Sequence, residues 1–222
     1  MEPSIIFEDD EIVVVDKPAG LQVVPDRHAE RETLQDWLAK RFGEFYIVHR
    51  IDRETSGVLA VARTEKSFEF LKKQFKNREV QKVYRAFVYG NLKDERGIID
   101  KPIGSARGGL GPRSARTPYG TIRDAVTMYR RIKNGAGAAY VEIFPKTGRT
   151  HQIRVHFAAI QHPIICDSLY APGRPPMFGF GRLALHALSL RIKHPNGKEM
   201  HFETPLPQDF LNASQKFFAP ER

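Results

Sequence analysis

The stretch His49-Arg50-Ile51-Asp52-Arg53-Glu54-Thr55-Ser56-Gly57-Val58 sets one carboxylate between two guanidinium groups, just before the apolar run Leu59 to Ala62. Cations on either side of an acid favour its ionised form. The Thr-Ser-Gly turn that follows lets backbone approach a ligand without side-chain clash. Asp52 is therefore the candidate for chemistry. The competing reading is a turn acid in an exposed ion pair, which contributes little. On spacing alone that plainer reading prevails.

Two further groups change the balance. In Gln81-Lys82-Val83-Tyr84-Arg85-Ala86-Phe87-Val88-Tyr89, read as a strand from Val80 to Tyr89, Lys82 and Tyr84 point to the same face because side chains two apart do so. In Lys146-Thr147-Gly148-Arg149-Thr150-His151-Gln152-Ile153-Arg154, Thr150 is placed to cap a helix that buries Ile153, Phe157 and Ile160. Arg149, His151 and Arg154 then gather at its amino end, where the helix dipole favours an anion. His151 and His156 are five apart and do not share a helix face, so a two-histidine metal site is not expected and each histidine is read as structural. An acid, an aromatic and a cation suit a nucleotide whose base is stacked and whose sugar is attacked or stabilised.

The elements that must position these groups follow from periodicity. Glu11 to Asp16 carries Ile12-Val13-Val14-Val15 and ends in Lys17-Pro18-Ala19-Gly20, a buried strand entering a turn. Thr33 caps a helix with Leu34, Trp37, Leu38 and Phe42 at helical spacing, and Gly43 ends it. Gly57 to Arg63 is a second strand. Thr64 caps a helix with Phe68, Leu71 and Phe75 inward and Lys72, Lys73 and Lys76 outward. From Asn91 to Thr121 the pattern weakens into a mobile, basic loop region centred on Gly104 to Arg113; without a Gly-Lys-Ser/Thr it is not a nucleotide phosphate loop. Ala125 to Ile132 and Ala139 to Pro145 pair across Asn134-Gly135-Ala136-Gly137. Leu183 to Ile192 turns at Pro195-Asn196-Gly197 into Glu199 to Glu203, and the tail ends in a short helix. Consecutive strands with about four helices favour an α+β fold with a largely antiparallel sheet.

Composition bounds the partners. The 222 residues carry 35 Lys and Arg against 26 Asp and Glu, a formal charge of +9, which favours a polyanion such as nucleic acid through counterion release. Cys166 is the only cysteine, so no disulfide framework or Cys-rich zinc site is expected, and a reducing compartment fits. No signal peptide or membrane-length apolar run is visible. The expectation is a cytoplasmic, single-domain protein over 1–222, without a membrane partner or an obligate protein partner. With no assembly motif, a monomer is the default.

The same residues carry a family resemblance. His49 to Gly57 resembles the active-site motif of the RluA-type pseudouridine synthase family, which isomerises uridine to pseudouridine in ribosomal or transfer RNA. Asp10 to Leu21 resembles the family's opening strand and turn, and Lys82-Val83-Tyr84-Arg85-Ala86 its tyrosine motif. Gly148 to His156 is similar to its basic motif, and Leu185-His186-Ala187 with His194-Pro195 to its closing one. The motifs occur in family order from about residue 10 to about 204. The resemblance implies the pseudouridine synthase fold, a mixed, largely antiparallel sheet flanked by helices with an RNA-binding cleft. It implies Asp52 as the catalytic aspartate, Tyr84 as the tyrosine that stacks on the base and assists proton removal, and Arg154 as the cation paired with Asp52. It further implies that Leu185 lines the pocket and that Arg50 helps hold a flipped-out base, with Lys82, Arg149 and His151 among the substrate-binding groups. The isomerisation changes no oxidation state, so no cofactor or metal is expected.

Two departures stand out. Cys166 occupies a position where the family usually has glycine, and a single catalytic domain without the separate small N-terminal RNA-binding domain of many relatives is expected. Target selection is then expected from the loop around Arg107 and Arg113 and the helix near Lys72. The alternatives are an N-glycosidase acting on nucleosides, which needs an activated water for which no partner stands beside Asp52 in the sequence, and a non-catalytic RNA-binding or ribosome-assembly protein.

Overall fold

A computed structural model of the chain describes residues 2–25, 32–106 and 113–219. Contacts divide the chain into two compact units, Met1–Lys82 with His186–Pro205, and Val83–Leu185 with Leu206–Arg222. Strands and helices are numbered along the chain.

In the first unit, β2 (Ile12–Lys17) and β4 (Ser56–Ala62) are buried along almost their whole lengths, which accounts for the apolar runs Ile12 to Val15 and Val58 to Ala62. They pair antiparallel from Ile12↔Ala62 to Lys17↔Gly57. β1 (Ser4–Glu8) lies beside β2, β3 (Tyr46–Ile47) beside the end of β4, and β12 (Leu185–Lys193) pairs parallel with the start of β4 through His186↔Ser56. β12 returns through a tight turn into β13 (Glu199–Glu203). The helix α1 (Leu34–Phe42) is held by a capping box, in which the Thr33 hydroxyl accepts the Asp36 N–H and the Asp36 carboxylate accepts the Thr33 N–H; Gly43 ends it. The helix α2 (Glu65–Asn77) starts at Thr64, buries Leu71 and leaves Lys72, Lys73 and Lys76 exposed. Its Gln74 amide clasps the N–H and carbonyl of Lys193, fixing α2 against β12. These elements and their caps match the sequence expectation; β1 and β3 were not expected.

In the second unit, β5 (Gln81–Tyr89), β11 (Ala138–Pro145), β10 (Val126–Gly135) and β6 (Arg96–Asp100) lie side by side and antiparallel, and β8 (Arg113–Ser114), β7 (Ile103–Ser105) and β9 (Tyr119–Arg123) form a small second sheet. The β10–β11 hairpin turns with Ala136 and Gly137 at positive φ, as expected of its glycine-rich loop. α4 (Gln208–Phe218) packs Phe210 and Phe217 on Phe87 of β5. On the other face α3 (Gln152–Ala159) inserts Phe157 against Tyr129.

Two expectations are corrected. The stretch from Asn91 to Thr121 contains β6, β7, β8 and the start of β9. These strands are short and, apart from β8, contain glycine; β6 is paired by β10, distant in sequence, while β7 pairs with β8 and β9. Arg113 sits in β8, with its N–H on the Tyr170 hydroxyl and Nη1 on Ser105 Oγ; Arg107 lies outside the described residues. Thr150 does not cap α3. The N-cap is His151 in the left-handed region, φ 54°, without a side-chain cap bond. Gln152 organises that corner instead, accepting from Thr147 Oγ1 at 2.6 Å and the Arg149 N–H at 3.0 Å while its Nε2 donates to the Val126 carbonyl and Thr127 Oγ1.

Candidate active site

In the first unit Asp52 rides on a turn built from below by buried groups. Its carbonyl accepts the Thr55 N–H at 3.1 Å. The next carbonyl, that of Arg53, accepts from Gly20 N–H at 2.9 Å and from Lys17 Nζ at 3.1 Å. Lys17 is wholly buried and also donates to the carbonyls of Pro18 and Leu21 at 2.8 and 2.7 Å. A buried ammonium is tolerated only with such compensation. Here it staples the loop after β2 to the loop that bears Asp52.

The downstream side of the turn is equally constrained. Thr55 and Ser56 are buried, and Ser56 Oγ is 2.9 Å from His186 Nδ1. Gly57 has φ 117°, and a Cβ there would run into the backbone carbonyl of Ala187 in the adjacent parallel strand. Only glycine permits both the dihedral and the approach. Asp52 itself is half-buried, Arg50 is exposed, and Arg53 turns to Glu54 in an exposed ion pair of 2.9 Å.

Upstream, His49 stacks on Phe75 with ring centroids 4.5 Å apart, and its Nε2 accepts the Ala60 N–H at 3.0 Å. Burial, reinforced by the charge of Lys82, lowers its pKa to about 3, so the ring is a neutral acceptor at physiological pH. Burial also lowers Lys82, to about 8. Lys82 thus sits near the His49 ring, its charge held at a cost.

In the second unit Arg154, on α3, is almost fully buried. Its Nε and Nη2 donate to the two carboxylate oxygens of Asp167, each at 2.8 Å, the bidentate geometry that fixes a guanidinium plane. Asp167 is in turn held by the N–H groups of Leu169 and Tyr170. The Tyr170 ring lies 5.2 Å from Arg154 Cζ, and its hydroxyl is 3.0 Å from His151 Nδ1. The fold therefore brings together His151, Arg154 and Tyr170. Arg149 is directed elsewhere, with Nε on the Asp124 carbonyl at 3.0 Å. His156 bonds Thr127 Oγ1 and the Lys101 carbonyl, a structural role as expected. Tyr84 is half-buried on β5 opposite Ile143 of β11, and Leu185 is buried in the core of this unit. Cys166 keeps φ 58° despite its Cβ; its thiol donates to the Phe180 carbonyl, and burial raises its pKa.

Sequence reasoning named the motifs but missed Lys17, His49 and Asp167 as the groups that hold them. A lysine at the end of a strand that opens with four buried apolar residues was the available signal for Lys17; nothing comparable marked Asp167.

Residues 11–159 match the family model described as RNA pseudouridylate synthase. The chain is 38% identical to the dual-specificity RNA pseudouridine synthase RluA of Vibrio vulnificus over 99% of its own length and 90% of that protein's. It is 36% identical to the ribosomal large subunit pseudouridine synthase D of Pseudomonas aeruginosa, over 95% of this chain and 70% of that one. Among solved structures, human RNA pseudouridylate synthase domain containing 1 superposes with a TM-score of 0.77 at 30% identity, over 93% of this chain and 84% of that one. Human RNA pseudouridylate synthase domain containing 4 gives 0.78 at 26% identity, over 98% and 95%. The α+β, largely antiparallel expectation agrees with these neighbours.

Proposed function

The chain belongs to the RNA pseudouridylate synthase family, and from that premise we propose that it isomerises specific uridines of ribosomal or transfer RNA, with Asp52 as the reacting carboxylate. Its chemistry is that of an isomerase. The N1–C1′ bond breaks, the uracil turns, C1′ bonds to C5, the C5 proton leaves and N1 ends protonated. Asp52 serves by attacking C1′, by attacking the uracil ring, or by taking a sugar proton; each route uses the ionised acid. Tyr84 stacks on the base, and Arg154, its plane set by Asp167, supplies the cation. Arg50, Lys82, Arg149 and His151 contribute to binding RNA, and Leu185 to the wall of the pocket. Extruding a base costs a few kcal/mol, offset by stacking and phosphate contacts. No step requires a cofactor, and the cytoplasm suits an RNA substrate.

The observation that carries this reading is the anchoring of the Asp52 turn. Lys17, Gly20, Ser56 and Gly57 all constrain a segment that exposes few side chains besides Arg50, Asp52, Arg53 and Glu54. A mere surface ion pair needs no such framework. Release of tritium from RNA carrying [5-³H]uridine tests it. The wild-type protein releases tritium and Asp52→Asn does not, while both bind RNA; equal release by the variant removes Asp52 from the chemistry. Appearance of abasic sites in place of pseudouridine would instead mark an N-glycosidase.

A further inference from the structure

Among the described residues the sheet of the second unit ends at β6, and the register of that strand determines what its outer edge presents. The Arg131 N–H donates to the Glu95 carbonyl at 2.7 Å and the Lys101 N–H to the Ala125 carbonyl at 3.3 Å. Between them β6 and β10 pair as Arg130↔Arg96, Tyr129↔Gly97, Met128↔Ile98, Thr127↔Ile99 and Val126↔Asp100. Bonded and non-bonded pairs alternate along an antiparallel ladder. Glu95, Gly97, Ile99 and Lys101 therefore aim their amide groups at β10, and Arg96, Ile98 and Asp100 aim theirs at the outer edge.

The same three residues share a side-chain face, since that period is also two. All three are exposed, Ile98 at 65%, whereas Ile99 on the opposite face is buried. Ile98 extends an apolar row in register through Met128 to Phe144. The row floors a groove of about 510 Å³ bordered by Arg96, Arg130 and Glu142. An edge that shows outward N–H and C=O groups beside an exposed isoleucine is a template for another strand.

The sequence of the edge names the strand. Arg96-Gly97-Ile98-Ile99-Asp100 is complementary to itself when run antiparallel about Ile98. Ile98 then faces the partner subunit's Ile98, Arg96 faces the partner subunit's Asp100, and Asp100 faces the partner subunit's Arg96. We propose that the protein forms a symmetric dimer through antiparallel pairing of β6 with β6 of a second copy, centred on Ile98. The three outward-facing positions become bonded pairs, each exchanging two N–H···O=C bonds. Two ion pairs flank the apolar centre, and the Phe144–Met128–Ile98 row runs on across the axis. A slip of two residues sets Ile98 against a charge, and a slip of one turns the side chains to opposite faces. The interface is isologous, as a two-fold requires. This inference does not depend on the proposed activity, because β6 holds none of the residues given a role in it.

Analytical ultracentrifugation tests it. Strand pairing of this length buries little surface, in the weak class below about 1,200 Å², so the series extends to about 100 µM. The wild-type protein shifts with concentration from 25.3 kDa towards twice that mass. Arg96→Asp and Asp100→Arg each set like charges opposite one another and remain monomeric, while the double variant Arg96→Asp/Asp100→Arg restores the dimer with the charges exchanged. That rescue separates loss of pairing from misfolding. A wild-type protein that stays monomeric throughout, as it would if the edge served RNA or another protein, overturns the inference. So do single variants that dimerise like the wild type, or a double variant that does not recover.

Discussion

Replacing Lys17 by methionine keeps the buried stem and removes the ammonium, and the cost can be worked from its three acceptors. The Arg53 carbonyl retains the Gly20 N–H at 2.9 Å, but the Pro18 and Leu21 carbonyls lose the Lys17 donor. Each carbonyl left unsatisfied costs about 1–3 kcal/mol. Methionine avoids the desolvation of a buried charge, which offsets part of the loss, so about 3 kcal/mol net is expected. For a chain of this size that lowers Tm by roughly 6–12 °C. The staple also holds the residue after Asp52, so the variant should lose turnover more than RNA affinity. A displacement near 1 Å at a reacting group costs about 10²-fold. Thermal unfolding followed by circular dichroism measures the first effect, and single-turnover pseudouridine formation well below the variant's Tm measures the second. Unchanged Tm and unchanged turnover in Lys17→Met would refute the stapling argument. Lost stability with full turnover would confine Lys17 to folding.

Other perturbations test neighbouring parts of the framework. Gly57→Ala forces a Cβ into the Ala187 carbonyl at φ 117° and should cost at least about 3 kcal/mol in urea unfolding; a cost below 1 kcal/mol would contradict the close approach. His49 has a folded pKa of about 3 against an ordinary 6.5, so below pH 6.5 the unfolded chain binds a proton that the folded one refuses. Its contribution to stability is therefore constant above pH 6.5 and falls by about 1.4 kcal/mol per unit as pH drops towards 3. His49→Gln, which can still accept the Ala60 N–H but does not titrate, should flatten that limb in pH-dependent unfolding. Lys82, lowered to about 8, loses its charge as pH rises through 8. RNA affinity measured by fluorescence anisotropy should weaken there, and Lys82→Arg, always charged, should abolish that step.

Much of the framework was legible because its signals are local. Thr33, the helical spacing of Leu34, Trp37, Leu38 and Phe42, and Gly43 define α1, and Asn134 to Gly137 defines the β10–β11 turn. The Ile12 to Val15 run declares β2 by composition alone. β6 was not legible, since its residues read as a charged, glycine-containing loop. Gly97 is tolerated in that strand because the Tyr129 ring covers the space where a side chain would stand, and Tyr129 is 32 positions away in the sequence. The same limit applies to the site. Asp52 and Arg154 stand in recognisable motifs, but part of what fixes each lies outside the motif. Lys17 reads as a surface cation at a strand end until its three carbonyls are seen. Arg154 reads as one of several basic residues until Asp167, 13 positions on, is seen to accept from its Nε and Nη2. Thr150 misled for a related reason. A capping hydroxyl was expected where the side chain of Gln152 already bonds the Arg149 N–H and Thr147.

The most direct test is to incubate the wild-type protein and Asp52→Asn with unmodified ribosomal and transfer RNA transcripts and map pseudouridine at single-nucleotide resolution. Discrete new pseudouridines with the wild type, none with Asp52→Asn, and comparable RNA binding by both are the predicted results. Pseudouridine formed equally by the variant, or none formed by the wild type despite salt-sensitive binding to the same transcripts, would contradict the assignment.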